Sequence, residues 1–288
     1  MFAVTGVLLY GSMTTFARLA YAHGSGPFDL IAIRTFLIVL VVGMLAIACR
    51  GAISLPRKAW RNCATFGTAI VGASICHLSA VMFIPVGLAA QIVYLYPLMV
   101  ALVDPMRNGR KVAASDVLCL SLAFLGLTVA LGPSLVDLDW RGISLALLAA
   151  CFATATLIIS RPLFADQAIL PVVFWSNIVG GLLVLPVIVV LGGLKLPPLN
   201  EAAYVGWAGI GCFSIMFFAA IVAQSAAVRN VGPTSTATIF NLEPIIAIVA
   251  STAMLGELLT LPQCLGAISV VMAVTLSGVL RSRSVSMA

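Results

Sequence analysis

Charge is the property that this sequence has least of. Only 8% of its 288 residues are Asp, Glu, Lys or Arg, whereas a soluble domain carries roughly 25%. Hydrophobic residues make up 62% of the chain, and the mean hydropathy is +1.19. So few charges cannot cover a surface that faces water. The composition therefore excludes an ordinary soluble enzyme and predicts an integral membrane protein.

The sequence also lacks the motifs of several catalytic and metal-binding classes. It has no paired intramembrane Asp, no His-Glu-x-x-His and no Gly-x-x-x-x-Gly-Lys-[Ser/Thr] loop. Its seven cysteines are scattered without a Cys-x-x-Cys pair, which argues against a disulfide framework or a zinc site. We interpret them as small packing residues. These absences predict a protein that is not an enzyme and that uses no metal or cofactor.

Long apolar runs fill most of the chain. A helix that crosses the hydrocarbon core needs about 20 apolar residues, and continuous rather than alternating apolarity favours helices over a barrel. The sequence predicts an all-α integral membrane protein with ten transmembrane helices in a single domain, 1–288. The predicted spans are 2–22, 28–49, 63–84, 86–103, 115–132, 141–160, 168–191, 203–227, 232–254 and 262–280.

The basic residues divide unevenly between the two sides of the membrane. If the N-terminus is cytoplasmic, eleven lie on the inner side and two, Arg141 and Lys195, on the outer side. This asymmetry follows the positive-inside rule and predicts that both termini are cytoplasmic. The inner set is Arg50, Arg57, Lys58, Arg61, Arg107, Arg110, Lys111, Arg161, Arg229, Arg281 and Arg283.

One short pattern occurs twice. The stretch VYLYP ends at Pro97 and the stretch FNLEP ends at Pro244, 147 residues later. Each half then holds five predicted spans, so the second half begins on the opposite side of the membrane. This predicts an inverted repeat, 1–135 and 136–288, of the kind from which secondary transporters are often built. Because both halves are in one chain, a functional monomer is expected.

The order of these motifs resembles a known family. Tyr96-Pro97 in span four, Leu242-Glu243-Pro244 in span nine and the following Gly256-Glu257 resemble the drug/metabolite transporter superfamily, EamA-type branch. Within it, the chain is most similar to the YddG-type bacterial exporters of aromatic amino acids, which also handle methyl viologen. The resemblance implies a transporter of the bacterial inner membrane that alternates access to a central cavity. Its partners would be a small-molecule substrate and the lipid bilayer, with no nucleic acid.

Polar and aromatic residues inside the spans indicate a transport path, since polar groups in lipid are expensive and usually face protein or water. In span one, Tyr10, Thr14, Arg18 and Tyr21 form one stripe. The predicted substrate-binding residues are Tyr10, Thr14, Arg34, Ser74, His77, Gln91, Tyr94, Trp175, Phe213, Phe217, Thr238 and Asn241.

Several of these residues leave two interpretations open. Arg18 and Arg34 either snorkel to the outer interface or attract a substrate carboxylate, and Arg34 could also bind backbone carbonyls. His77 is either satisfied by a neighbouring helix or serves as a substrate or proton site. The aromatic residues Trp175, Phe213 and Phe217 either pack the bundle or hold a planar or cationic substrate.

Spans four and nine carry matching polar faces. Gln91 and Tyr94 correspond to Thr238 and Asn241, and we predict that this face lines the cavity. Tyr96 and Glu243, which also correspond to each other, would point about 200° away from it. Glu243 then either locks spans together or carries a coupling proton, because burial disfavours the charged form of a carboxyl group.

The two repeated prolines predict a kink in each half. Pro97 and Pro244 each free the carbonyl four residues before, at Val93 and Phe240. The kink is either a hinge for the transport cycle or a static feature of packing.

Another repeated feature is a stripe of small residues in span ten. Ser269, Ala273 and Ser277 predict a close helix contact within one chain or between chains.

Two transport functions follow from these patterns. The first is a secondary exporter of small amphipathic metabolites, aromatic amino acids foremost, across the inner membrane by alternating access. The second is a proton-coupled exporter of cationic drugs, such as quaternary ammonium or viologen compounds, with Glu243 as the coupling site. The two arginines favour a substrate with an anionic group.

Overall fold

The computed structural model describes residues 1–48, 53–132, 139–198, 204–255 and 260–286. These residues form helices without strands, which confirms the all-α prediction; the pair Gly256-Glu257 lies outside them. The helices are α1 (Phe2–Ala22), α2 (Pro27–Ala48), α3 (Arg57–Ala80), α4 (Val86–Val93), α5 (Tyr96–Arg107), α6 (Ala114–Leu131), α7 (Trp140–Asp166), α8 (Ile169–Val190), α9 (Tyr204–Val231), α10 (Pro233–Phe240), α11 (Glu243–Leu255) and α12 (Leu261–Ser286).

Eight helical stretches of the described chain are long and apolar enough to cross a membrane. The pairs α4–α5 and α10–α11 each count as one stretch. The remaining two predicted spans also form helices, but α1 is not among the eight and α12 has a shorter apolar run, Leu261–Ser277. Polar residues such as Thr14 and Arg18 lower the apolarity of α1. Eight of the ten predicted spanning helices are therefore confirmed as long and apolar enough to cross a membrane.

Two predicted spans are interrupted at corresponding positions. Span four breaks at 94–95, between α4 and α5, and span nine breaks at 241–242, between α10 and α11. Pro97 and Pro244 are each the second residue of the helix that follows the break. A proline is tolerated there because the first turn of a helix has no intrahelical partner for its N–H groups.

Helix α1 packs mainly against α9 and α11, and it scarcely touches its sequence neighbour α2. Small residues permit these close approaches. A Cβ atom added at Gly209 of α9 would lie 2.9 Å from the carbonyl oxygen of Phe16, and one at Gly11 would lie 2.8 Å from that of Glu243.

The small residues of α12 pack within the chain. Ala273 and Ser277 are buried, and α12 lies against α6, where Gly266 approaches Ala130. Of the two interpretations of this stripe, the structure shows the contact within one chain.

The contact between α3 and α8 yields a stability prediction. A Cβ atom at Gly67 would lie 2.9 Å from the Cα atom of Ser176, so the backbones must move apart. We expect Gly67→Ala to destabilise the bundle by about 1–3 kcal/mol, as overpacking does. Gly211→Ala is the matched control because nothing lies within 4 Å of its added Cβ atom. Thermal unfolding in detergent measures both, and equal midpoints would contradict this packing.

Candidate functional site

Arg34 is the centre of one polar cluster. It lies on α2 and is only 4% exposed. Its Nη2 atom donates a hydrogen bond to Ser74 Oγ of α3 at 2.9 Å. Its Cζ atom lies 3.7 Å from the ring centroid of Phe217 and 5.9 Å from that of Phe213, both on α9. This geometry suits a cation–π interaction, so four residues that the sequence predicted separately meet here.

Tyr10 extends this cluster from α1. Its ring packs edge-to-face against Phe217 at 5.7 Å and against Phe240 at 5.8 Å between centroids. The polar groups that act on the Arg34 guanidinium from this side are the hydroxyls of Tyr10 and Tyr21, and no carboxylate of the described chain is among them. Arg34 therefore has hydrogen-bonding and aromatic neighbours but no counter-ion within the described residues.

Glu243 is the centre of a second polar cluster. It is the first residue of α11 and is partly buried. The hydroxyl of Tyr94 lies beside its carboxyl group, and the hydroxyls of Tyr96 and Tyr10 are also in its vicinity. No cation of the described chain acts on this carboxyl group. Tyr10 neighbours both clusters, so it joins the unpaired cation to the unpaired carboxyl group.

The second cluster corrects one prediction. The sequence placed Glu243 on a different face from the cavity residues, on the assumption that spans four and nine are continuous helices. Both are broken, at 94–95 and 241–242, so helical angles do not carry across these positions. Tyr94 lies in its break and Glu243 directly follows the other, which allows the two side chains to meet.

The rest of the predicted polar face makes contacts in the packed bundle. Gln91 is buried and donates to Thr128 Oγ1 of α6 at 2.7 Å. Thr238 donates to the Thr234 carbonyl at 2.9 Å, and the Asn241 amide lies against carbonyls of its own helix. The described contacts of these three residues are with their own helix or with α6, and none of them is with Arg34 or Glu243.

Two further predicted residues, His77 and Trp175, lie outside the contacts described for the two clusters. His77 lies on the same face of α3 as Ser74 and is half-buried, and its Nδ1 atom has no hydrogen-bond partner among the described residues. Trp175 donates to the Ile53 carbonyl at 2.7 Å and its ring lies 4.7 Å from that of Trp60. These contacts place Trp175 at the α2–α3 connection.

One face of α1 shows at which end the bundle is open. Ala3 and Val7 are buried, Tyr10 is half-buried, and Thr14 and Tyr21 are exposed, although all five share a face. Arg18, on the same side, is exposed too. Tyr10 and Tyr21 both act on buried Arg34, so this face is directed inward. The interior is therefore closed where α1 begins and open where α1 ends.

A buried hydrogen bond joins α5 to α10 at the closed end. Thr234 Oγ1 donates to Asp104 Oδ2 at 3.1 Å, and Asn108 Nδ2 donates to Asp104 Oδ1 at 2.9 Å. Both Asp104 and Thr234 are buried. Asp104 is not among the residues predicted from the sequence, although an acidic residue before Pro105 near the end of an apolar span was the available signal.

The chain is similar to known proteins. A model of the EamA-like transporter family matches residues 1–132 and 140–279. The chain belongs to this family. An EamA-like chain with eight apolar helices is a multi-pass membrane protein, and members of the EamA-like family are transporters rather than enzymes.

A solved structure shares the EamA-like fold. It is a crystal structure of a protein that is 17% identical to this chain, with a TM-score of 0.80, and the match covers 98% of this chain and 96% of that one. At this identity the likeness shows the fold alone. No curated protein matches the chain.

The two clusters give a prediction for Tyr10 of this EamA-like protein. Tyr10→Ala removes a ring that contacts Phe217 and Phe240, and we expect a loss of roughly 2 kcal/mol of stability. Tyr10→Phe keeps the ring and should leave the unfolding midpoint nearly unchanged. Phe36→Ala, at a ring that is 66% exposed, is the control. Thermal unfolding distinguishes them, and equal losses in both alanine variants would contradict the packing role.

Proposed function

We propose that this chain is a secondary transporter that exports small amphipathic zwitterions, aromatic amino acids foremost, by alternating access. One observation carries the proposal: a buried guanidinium and a partly buried carboxyl group, each without a counter-ion in the described chain, both neighbour Tyr10. A zwitterion with an aromatic side chain has the complementary charges and the complementary apolar surface.

An unpaired charge inside a membrane protein is costly. Breaking a buried ion pair by removal of one partner is strongly destabilising, because it leaves an uncompensated charge. Ionisable residues within membrane helices are accordingly rare and usually functional. A bound substrate that brings a carboxylate towards Arg34 and an ammonium group towards Glu243 compensates both.

The surroundings of Arg34 restrict how the carboxylate binds. Phe217 covers one face of the guanidinium, and Ser74 accepts from Nη2. A carboxylate therefore approaches the remaining N–H groups or displaces the Ser74 hydroxyl. Direct contact is not needed for attraction, because a charge in a low-dielectric site acts over several ångströms.

The aromatic residues supply the second half of the specificity. Phe213, Phe217 and Tyr10 border the guanidinium, and offset or edge-to-face contact with a substrate ring is favourable. These three aromatic side chains favour phenylalanine, tyrosine or tryptophan as substrates over small hydrophilic amino acids. His77, with its unpartnered Nδ1, and Thr14, on the open face, complete the proposed path.

The transport cycle we propose uses the two interrupted helices. The halves 1–135 and 136–288 form inverted five-helix repeats, and Pro97 and Pro244 mark a hinge in each. Two observations support this: the breaks at 94–95 and 241–242 correspond, and the family model matches two segments that divide the chain near the same point. The prediction of a YddG-type exporter in a bacterial inner membrane belongs to this proposal.

The orientation we propose follows from the distribution of basic residues. With both termini cytoplasmic, the open end of the interior faces outward and the hydrogen bond between Asp104 and Thr234 closes the cytoplasmic end. The structure then corresponds to a state in which an exported substrate can leave.

A second function has its own support. Glu243 is surrounded by the tyrosines Tyr10, Tyr94 and Tyr96, and aromatic rings near a carboxyl group are suited to a cation. This favours a proton-coupled exporter of quaternary ammonium or viologen compounds, with Glu243 as the coupling site.

Exchange in proteoliposomes tests the first proposal. Vesicles preloaded with unlabelled phenylalanine take up labelled phenylalanine, and two competitors are compared: phenethylamine, which lacks the carboxylate, and 3-phenylpropionate, which lacks the amine. We expect Arg34→Gln to weaken competition by phenylalanine about tenfold, equivalent to roughly 1.4 kcal/mol, without affecting phenethylamine. Glu243→Gln should weaken competition by phenylalanine to a similar extent, without affecting competition by 3-phenylpropionate.

The controls separate the two proposals. Arg141→Gln, at an exposed position at the start of α7, should leave competition unchanged. The contrary result is that folded protein exchanges no amino acid while a proton gradient drives methyl viologen in the opposite direction to the protons. If Glu243→Gln then abolishes this coupling, the second function replaces the first.

A further inference from the structure

A separate cavity lies at the closed end of the bundle. Its volume is about 290 Å³. Its walls come from the end of α5, the α5–α6 connection, α7 and the beginning of α10. Three basic residues, Arg110, Lys111 and Arg161, line it together with the hydroxyl-bearing residues Thr234 and Ser235. None of these residues belongs to the two clusters around Arg34 and Glu243.

Two acidic residues also line the cavity, but they leave it basic. Asp104 is buried and both of its carboxylate oxygens accept hydrogen bonds, from Asn108 and Thr234. Asp116 lies in the first turn of α6, where a negative charge interacts favourably with the helix dipole. The cavity lining thus has three cationic side chains and two carboxylates. All three cationic side chains are exposed and can turn into the cavity.

The backbone adds to the positive potential. Helix α10 begins at Pro233, and Thr234 and Ser235 are in its first turn, so its positive end borders the cavity. Gly232, directly before it, has φ +83°, and a Cβ atom there would lie 3.8 Å from Nη1 of Arg161. The Arg161 guanidinium is thus close to this helix end.

We propose that this cavity binds a phosphate-bearing anion, either the headgroup of an anionic phospholipid or free phosphate. Guanidinium groups bind phosphate oxygens in a bidentate manner, and a lysine adds a point charge. Basic pockets between membrane helices at the cytoplasmic side are suited to anionic headgroups. The inference does not depend on the substrate proposed for the central site.

Ligand-dependent stabilisation of the full-length protein in non-ionic detergent tests the proposal. The ligands are short-chain phosphatidylglycerol, phosphatidylcholine of the same chain length, and inorganic phosphate against chloride at equal ionic strength. A ligand that binds only the folded state raises the unfolding midpoint. We expect a rise of about 5 °C at saturation with phosphatidylglycerol, with phosphate or with both, and none with phosphatidylcholine or chloride.

Matched variants localise the effect. The double variant Arg110→Gln/Lys111→Gln should lose the rise, and Arg161→Gln, on a different helix, should reduce it. Arg57→Gln/Lys58→Gln removes two exposed charges from the same end of the bundle but outside the cavity, and it should keep the rise.

The outcomes are distinguishable. A rise with phosphatidylglycerol alone identifies a lipid site, and a rise with phosphate identifies a site for the free anion. The proposal is overturned if no ligand raises the midpoint, if Arg110→Gln/Lys111→Gln responds as the native chain does, or if Arg57→Gln/Lys58→Gln loses the response equally.

Discussion

Inside a bilayer every backbone N–H and C=O group has to find its partner within the protein, because the hydrocarbon offers none. The chain departs from continuous helix twice, at 94–95 and at 241–242, each time within a stretch that is long enough to cross the membrane. Irregular backbone at such depth is tolerated where it is buried in protein or lines a water-filled cavity. Tyr94 and Glu243 lie at these two breaks, so the second polar cluster is located where the helices are interrupted.

The first polar cluster depends on a related constraint, the desolvation of Arg34. Helices α2, α3 and α9 meet around this guanidinium, which has Ser74 on one side and the Phe217 ring on another. A hydroxyl and an aromatic face stabilise the cation without neutralising it. Tyr10 connects this cation to the carboxyl group of Glu243, and the small residues that let α1 approach α9 and α11 bring Tyr10 into that position.

Much of this architecture could be predicted from the sequence. Composition gives the membrane class, and the repeated prolines give the positions of both helix breaks to within a few residues. The depth of Arg34 in its span, together with the helical spacing of Ser74, Phe213 and Phe217, indicated inward-facing residues, and the structure brings these four together.

Other features could not be obtained from periodicity. The proximity of Tyr94 to Glu243 depends on two helix breaks at once, whereas a helical wheel assumes that neither exists. In a chain that is apolar on nearly every face, the pattern does not specify which helices are neighbours, so the contacts of Trp175 with Trp60 and of Asp104 with Thr234 were not anticipated.

The tilted contact between the indoles of Trp60 and Trp175 has a practical consequence. They lie at the α2–α3 connection, at the end of the bundle that the bond between Asp104 and Thr234 closes. The other two tryptophans, Trp140 and Trp207, are at the beginnings of α7 and α9, at the opposite end. If the closed end separates and the open end closes during the cycle, the two tryptophan pairs report on opposite ends of the bundle. The protein thus carries an optical reporter of its own conformation, which needs no added label.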